Sequence, residues 1–103
     1  MRVDHTSLSA TWYDPNGGTG ACGKPLQNSD AIVALGEGNW AGGAHCGKNI
    51  NVQYQGRSIT VSVQDLCPGC QGANGIDLSE GAIAVIDPNY KADGVISVVW
   101  SFV

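Results

Sequence analysis

Asp65-Leu-Cys-Pro-Gly-Cys-Gln-Gly-Ala-Asn-Gly-Ile-Asp-Leu-Ser79 joins two strand-like segments and carries most of the reactive side chains of the chain. Upstream of it, Ser58 to Asp65 alternates, with Ile59, Val61 and Val63 on one face and Ser58, Thr60, Ser62 and Gln64 on the other. Strict alternation is the mark of a half-buried strand, and it puts Asp65 at the end of the apolar row. Pro68, Gly69, Gly72 and Gly75 mark a turn. Beyond it Ile76 and Leu78 point one way and Asp77 the other. Two carboxylates, Asp65 and Asp77, are thus expected at strand ends facing one opening.

Outward from this stretch the same period recurs. Leu8 to Asp14 places Leu8, Ala10 and Trp12 opposite Ser9, Thr11 and Tyr13. Ala31 to Leu35 is short, apolar and bounded by polar loops, which suits a buried strand. Asn49 to Gln55 alternates and turns through Gln55-Gly56-Arg57 into the Ser58 strand, a hairpin. The last strand sets Ile96, Val98, Trp100 and Phe102 against Val95, Ser97, Val99 and Ser101. Ser79 is placed to cap a short helix running to Ile86, with Glu80 in its first turn and Asp87-Pro88-Asn89 ending it. Gly36 to Gly47, with Trp40 in its middle, reads as a loop or a single helical turn. The fold class expected is mainly β: six strands closed into a small barrel, which removes exposed sheet edges, with one or two short helices.

The totals set bounds on function. At 103 residues the chain fits one domain, since domains run to ~100–150 residues. Residues 1–7 read as an N-terminal tail, partly a cloned start, and 8–103 as the barrel domain. Met1-Arg2-Val3-Asp4-His5 has no apolar signal-peptide core, so the expectation is a mature domain. Five scattered Lys and Arg residues and a net charge of −4 offer no basic footprint for nucleic acid. No stretch is long and apolar enough to suggest a membrane partner. Four cysteines in so short a chain point to two disulfides and an extracellular setting, with three connectivities open. Cys67-Pro68-Gly69-Cys70 has the C-x-x-C spacing of a redox motif, half a zinc site or a plain disulfide. The plain disulfide is favoured, because Cys22 and Cys46 do not supply a second close ligand pair. No metal and no cofactor is called for.

Asp14, Asp65 and Asp77 are the candidate catalytic carboxylates, since glycoside cleavage requires a pair of acids. The structural alternative gives Asp14 to an Asp-Pro turn, Asp65 to backbone N–H groups of the Gly-rich turn, and Asp77 to solvent. Tyr13 and Trp40 are candidates for stacking on a sugar ring. Trp12, Tyr54 and Trp100 fit the core more simply, and His45 is read as a loop residue without a catalytic role.

Taken together, Ala10-Thr-Trp-Tyr-Asp14, Gly20-Ala-Cys-Gly23, Asn28 to Leu35, His45-Cys-Gly47, Val63 to Cys70 and Ile76-Asp-Leu-Ser79 resemble a known family. It is that of the secreted single-domain double-psi β-barrel proteins. The closest set is the loosenin and expansin-like group, kin to barwin, the expansin N-terminal domain and rare lipoprotein A. The resemblance implies a six-stranded double-psi barrel with an open polysaccharide groove. It implies Asp77 at the position of the acid of related lytic enzymes, Asp65 on the strand before it, and Thr11 and Tyr13 lining the groove. It also implies disulfides Cys22–Cys46 and Cys67–Cys70. The function implied is non-hydrolytic loosening of cell-wall polysaccharide, cellulose or chitin, by a monomer that is not an enzyme. Two other readings stand beside it: a secreted inhibitor of papain-like cysteine proteases, and a lytic transglycosylase or glucanase on peptidoglycan or glucan. Asp14 stands where many expansins carry Gly, which keeps the lytic reading in play.

Overall fold

The computed structural model describes residues 8–27, 29–67, 70 and 75–103. The tail 1–7 and the turn residues Pro68, Gly69 and Gly72 therefore lie outside the described residues. Six strands close into a barrel: β1 (Leu8–Tyr13), β2 (Ile32–Gly36), β3 (Asn49–Tyr54), β4 (Arg57–Cys67), β5 (Ile76–Ser79) and β6 (Ile96–Phe102). Around the barrel they run β1-β5-β2-β4-β3-β6. The β1–β5 and β2–β4 pairs are parallel, and the other four are antiparallel. Three short helices decorate this frame: α1 (Glu37–Trp40), α2 (Glu80–Ile86) and α3 (Tyr90–Asp93), with a 3-10 turn at Ala41–Gly43. The four-residue α1 and α3 are too short to show an apolar period, so the sequence pattern picks out α2 alone.

The core follows the alternation. Ala10, Val33, Leu35, Val61, Val63, Ile76, Leu78, Val98 and Trp100 are buried inside the barrel. Trp12, Tyr54 and Ile59 pack against them while partly exposed. The apolar face of α2, Ala82, Ile83 and Ile86, joins the same core. Ser79 caps α2 as its position suggests: its Oγ accepts from Ala82 N at 3.3 Å. The same hydroxyl accepts from Ile32 N and donates to the carbonyl of Asp30. A fully buried Ser79 thus ties α2 to the start of β2, each of its bonds replacing one lost to water. At the β3–β4 hairpin the Tyr54↔Arg57 pair leaves a two-residue loop. Gln55 and Gly56 both have positive φ, 48° and 79°, which matches the twist of such hairpins.

Candidate functional site

The register of β4 decides where the acids face. Val33 pairs with Val63, but the next residue, Ala34, pairs with Asp65, so Gln64 is an extra residue in β4. This β-bulge corrects the expectation that Asp65 ends the core-facing row of Val61 and Val63. One inserted residue changes the face of everything after it, so Asp65 turns outward and Leu66 takes its place opposite Leu35. Ala34 is also the partner of Asp77 on β5, and Asp77 is the partner of Thr11 on β1. Thr11, Asp77, Ala34 and Asp65 therefore form one row across four strands, with the small Ala34 between the two acids.

The bulge is held from outside. The carbonyl of Gln64 accepts from Cys22 N at 3.2 Å, and Asp65 Oδ1 accepts from Ala21 N at 2.9 Å. Asp65 Oδ1 also accepts from Leu66 N at 2.9 Å, while Oδ2 accepts from the Tyr13 hydroxyl at 2.9 Å. The loop 19–30 and β1 thus converge on Asp65. Gly20 makes the approach possible, because a Cβ there would stand 2.5 Å from the Gln64 carbonyl oxygen. Main-chain donors to Asp65 are the structural alternative that the sequence offers; Leu66 N comes from the turn side of Asp65, whereas Ala21 N comes from a distant loop of which the Gly20-Ala21-Cys22 run is the only hint.

Asp77 sits differently. Thr11 Oγ1 donates to its Oδ1 at 2.8 Å and is also 3.4 Å from the Ile76 carbonyl. Burial pushes the Asp77 carboxyl above the usual carboxylate range, the charge of Asp65 adds to this, and the Thr11 bond opposes it. Tyr13 is raised far above an ordinary phenol, first by burial and then by its bond to Asp65, so it remains a donor at any physiological pH. A carboxyl raised in the folded state binds its proton more tightly there than in the unfolded chain. Its protonation therefore favours the fold, and that contribution is lost as pH rises from the ordinary carboxylate value through the folded one. Replacing Thr11 by valine removes the opposing bond. The Asp77 titration midpoint, followed by carboxyl-carbon NMR, is expected to rise further in Thr11→Val, and a fall contradicts the geometry.

The remaining candidates are spread more widely. Asp14 is exposed, one residue past the end of β1. Trp40 is half-buried at the end of α1, which follows β2 directly where Gly36 pairs with Cys67, at the Asp65 end of β4. Cys22 is bonded to Cys46 (S–S 2.01 Å) and Cys67 to Cys70 (2.12 Å), which settles the C-x-x-C spacing as a disulfide. His45 packs against Phe102, ring centroids 4.5 Å apart.

Known proteins share this architecture. A family model described as "Lytic transglycolase" matches residues 5–100. The papain inhibitor of Streptomyces mobaraensis is 36% identical over 99 residues, covering 88% of this chain and 67% of that protein. The structure of a Streptomyces papain inhibitor superposes with a TM-score of 0.80 at 33% identity, over 98% of this chain and 94% of the other. An expansin of Clavibacter michiganensis superposes with a TM-score of 0.82 at 29% identity, over 95% of this chain. This chain spans only 50% of that expansin's length. A variant of the same expansin, solved in complex with cellohexaose, gives a TM-score of 0.83 at 27% identity. With the closed six-stranded barrel and a family match over nearly its whole length, the chain belongs to the double-psi β-barrel family described as lytic transglycolase, as an expansin-like member.

Proposed function

We propose that this protein is extracellular and binds β-linked cell-wall polysaccharide, cellulose or chitin, along the Thr11–Asp77–Asp65 row, loosening chain packing without net cleavage. The observation that carries this reading is the unequal state of the two acids. Cleavage by paired carboxylates needs one protonated group and a second one free to act as base or nucleophile. Asp77, its carboxyl raised by burial, suits the first role or a hydrogen bond to a sugar hydroxyl. Asp65 Oδ1 accepts from Ala21 N and Leu66 N and its Oδ2 from the Tyr13 hydroxyl, so it is held in place as a hydrogen-bonding group with a lone pair of Oδ2 left for a sugar hydroxyl, rather than free as a base. Asp14, the remaining candidate base, lies exposed beyond the strand. The likeness to an expansin solved with cellohexaose supports a polysaccharide ligand. The two disulfides suit an oxidising, extracellular setting.

The test is to incubate the protein and its Asp77→Asn variant with insoluble cellulose, chitin and peptidoglycan, recording bound mass and soluble products by mass spectrometry. The wild type is expected to bind without releasing oligosaccharides. Asp77→Asn keeps an oxygen for Thr11 and so keeps the fold. It is expected to bind up to about tenfold more weakly, since an ordinary hydrogen bond is worth ~0.5–1.5 kcal/mol net and ~1.4 kcal/mol is tenfold. New oligosaccharides from the wild type alone make the protein a lytic enzyme with Asp77 as its acid.

A second reading is inhibition of papain-like cysteine proteases, through loops such as the one from Gly36 to Gly47. It is favoured by one observation: the Streptomyces papain inhibitor is 33% identical over the superposed chain, against 29% for the expansin, at a nearly equal TM-score. Inhibition of papain at micromolar concentration, without pellet binding, selects it.

A further inference from the structure

One part of the barrel's outer wall carries no charge. The stretches Asn49–Tyr54 of β3, 58–64 of β4 and Ile96–Phe102 of β6 contain no Asp, Glu, Lys or Arg, although the chain has nine acids and five bases. The three strands are neighbours, in the order β4-β3-β6. Their inward side chains, among them Val52, Val61 and Trp100, fill the core, so the alternate residues face out. Asn51 lies between Ser101 and Thr60, and Gln53 between Val99 and Ser58. All of these are exposed except Asn51, which is half-buried.

The amides of this wall are held in place. Gln53 Nε2 donates to Asn51 Oδ1 at 3.2 Å, and Asn51 Nδ2 donates to Thr60 Oγ1 at 3.4 Å. The relay fixes the direction of each group. It leaves Gln53 Oε1 as an acceptor, the Thr60 O–H as a donor, and the hydroxyls of Ser58 and Ser101 without partners among the described residues.

These groups select a partner by charge. A charged surface calls for opposite charges across the contact, and each must lose its water. Amides and hydroxyls both donate and accept, so they exchange water for another uncharged, hydroxyl-covered surface at little cost. Size points the same way. Three strands ~4.8 Å apart and six residues at ~3.4 Å make a strip ~10 Å by ~20 Å, about 200 Å² against the ~800 Å² per partner of a standard protein interface. So small a strip suits a weak contact that works together with another one.

We infer that the outer wall of β4, β3 and β6 is a second contact surface, laid against the uncharged face of a neutral polysaccharide fibre. The inference rests on the polysaccharide reading of the groove and goes beyond it. Asp77 is on β5, and in the closed order β5 stands across the barrel from β3. One domain then holds a single chain in its groove and the fibre surface on its other side. Two linked weak contacts grip far more firmly than either alone, and prising a chain from its fibre needs a hold on both.

The test compares binding to pellets of insoluble cellulose and chitin with amide NMR of the groove under cellohexaose or chitohexaose. Gln53→Lys and Gln53→Glu, at an exposed position, are each expected to weaken pellet binding about fivefold, because either charge is set against an uncharged surface. The hexaose shifts at Thr11 and Asp77 are expected to stay as in wild type. Ala84→Lys, which adds a charge on exposed α2 surface, is expected to bind the pellets as wild type does. Thr60→Lys and Thr60→Glu on β4 repeat the test, should a Gln53 variant show a lowered unfolding midpoint. Unchanged pellet binding in all four variants overturns the second surface and leaves the groove reading standing. Weakening by one sign of charge alone overturns it too, since the partner is then charged. A wild-type dimer in solution that Gln53→Lys dissociates makes the wall a contact between copies and overturns the inference. Pellet binding lost in the Gln53 variants, with no hexaose shifts in wild type, supports the wall and overturns the groove reading. No wild-type binding to pellet or hexaose overturns both.

Discussion

Gly20→Ala is expected to lower the midpoint of thermal unfolding by about 10–20 °C, following from ~2–3 kcal/mol of overpacking and ~4–8 °C per kcal/mol for a domain of this size. Gly20 is buried, and an added Cβ would lie 2.5 Å from the Gln64 carbonyl oxygen and 2.7 Å from Leu26 Cδ1. The leucine tip is able to turn aside, but the carbonyl is part of the bulge. Retreat of the loop is costly as well. Gly20 N donates to Lys24 O at 2.9 Å, and Cys22 N donates to that same Gln64 carbonyl. A shift large enough to relieve the clash stretches the Cys22–Gln64 bond and draws Ala21 N away from Asp65. The loss of stability should therefore be accompanied by weaker pellet binding, because Asp65 loses one of the donors that aim it. Calorimetry giving an unchanged midpoint would mean that the loop does not press on the bulge as described.

The Cys22→Ser/Cys46→Ser pair is expected to cost ~3–4 kcal/mol in the chain-entropy account, a fall of about 15–25 °C in the unfolding midpoint. The bridge spans a sequence separation of 24, against 3 for Cys67–Cys70. It joins the loop that grips Asp65 to the segment just before β3, two stretches with little regular structure of their own. Without it, the unfolded chain regains the freedom of a long loop, whereas opening Cys67–Cys70 releases a short one. Thermal unfolding of both double serine variants checks the order. A smaller loss at Cys22–Cys46 than at Cys67–Cys70 would place the stabilising constraint elsewhere.

Local patterns account for much of this molecule. The two-residue alternation of β3, β4 and β6 reports their inward faces because burial of every second side chain is a property of the strand itself. Ser79 is legible as a cap because the first turn of a helix needs an acceptor at that position. Trp100 in its apolar row is buried as the row implies. Thr11 and Tyr13 share a face by simple parity, and each reaches one of the two acids.

The same parity fails at Asp65, and the failure is informative. Counting by twos from Val61 sends Asp65 into the core, where an unpaired carboxylate is not tolerated. The chain resolves this conflict with the bulge at Gln64, whose carbonyl and whose following carboxylate are both taken by the Gly20–Cys22 loop. A bulge is a relation between strands, so no count along one strand reveals it.

The sequence by itself determined the strands, the capped helix, the hairpin and which side chains of one strand share a face, because each depends on neighbours a few residues apart. The facing of Asp65 and Asp77 across Ala34 and the burial that raises Asp77 were decided only by the closed barrel. Those features depend on which distant segments touch, and closure brings residues 11, 21, 65 and 77 together where chain separation says nothing of their distance.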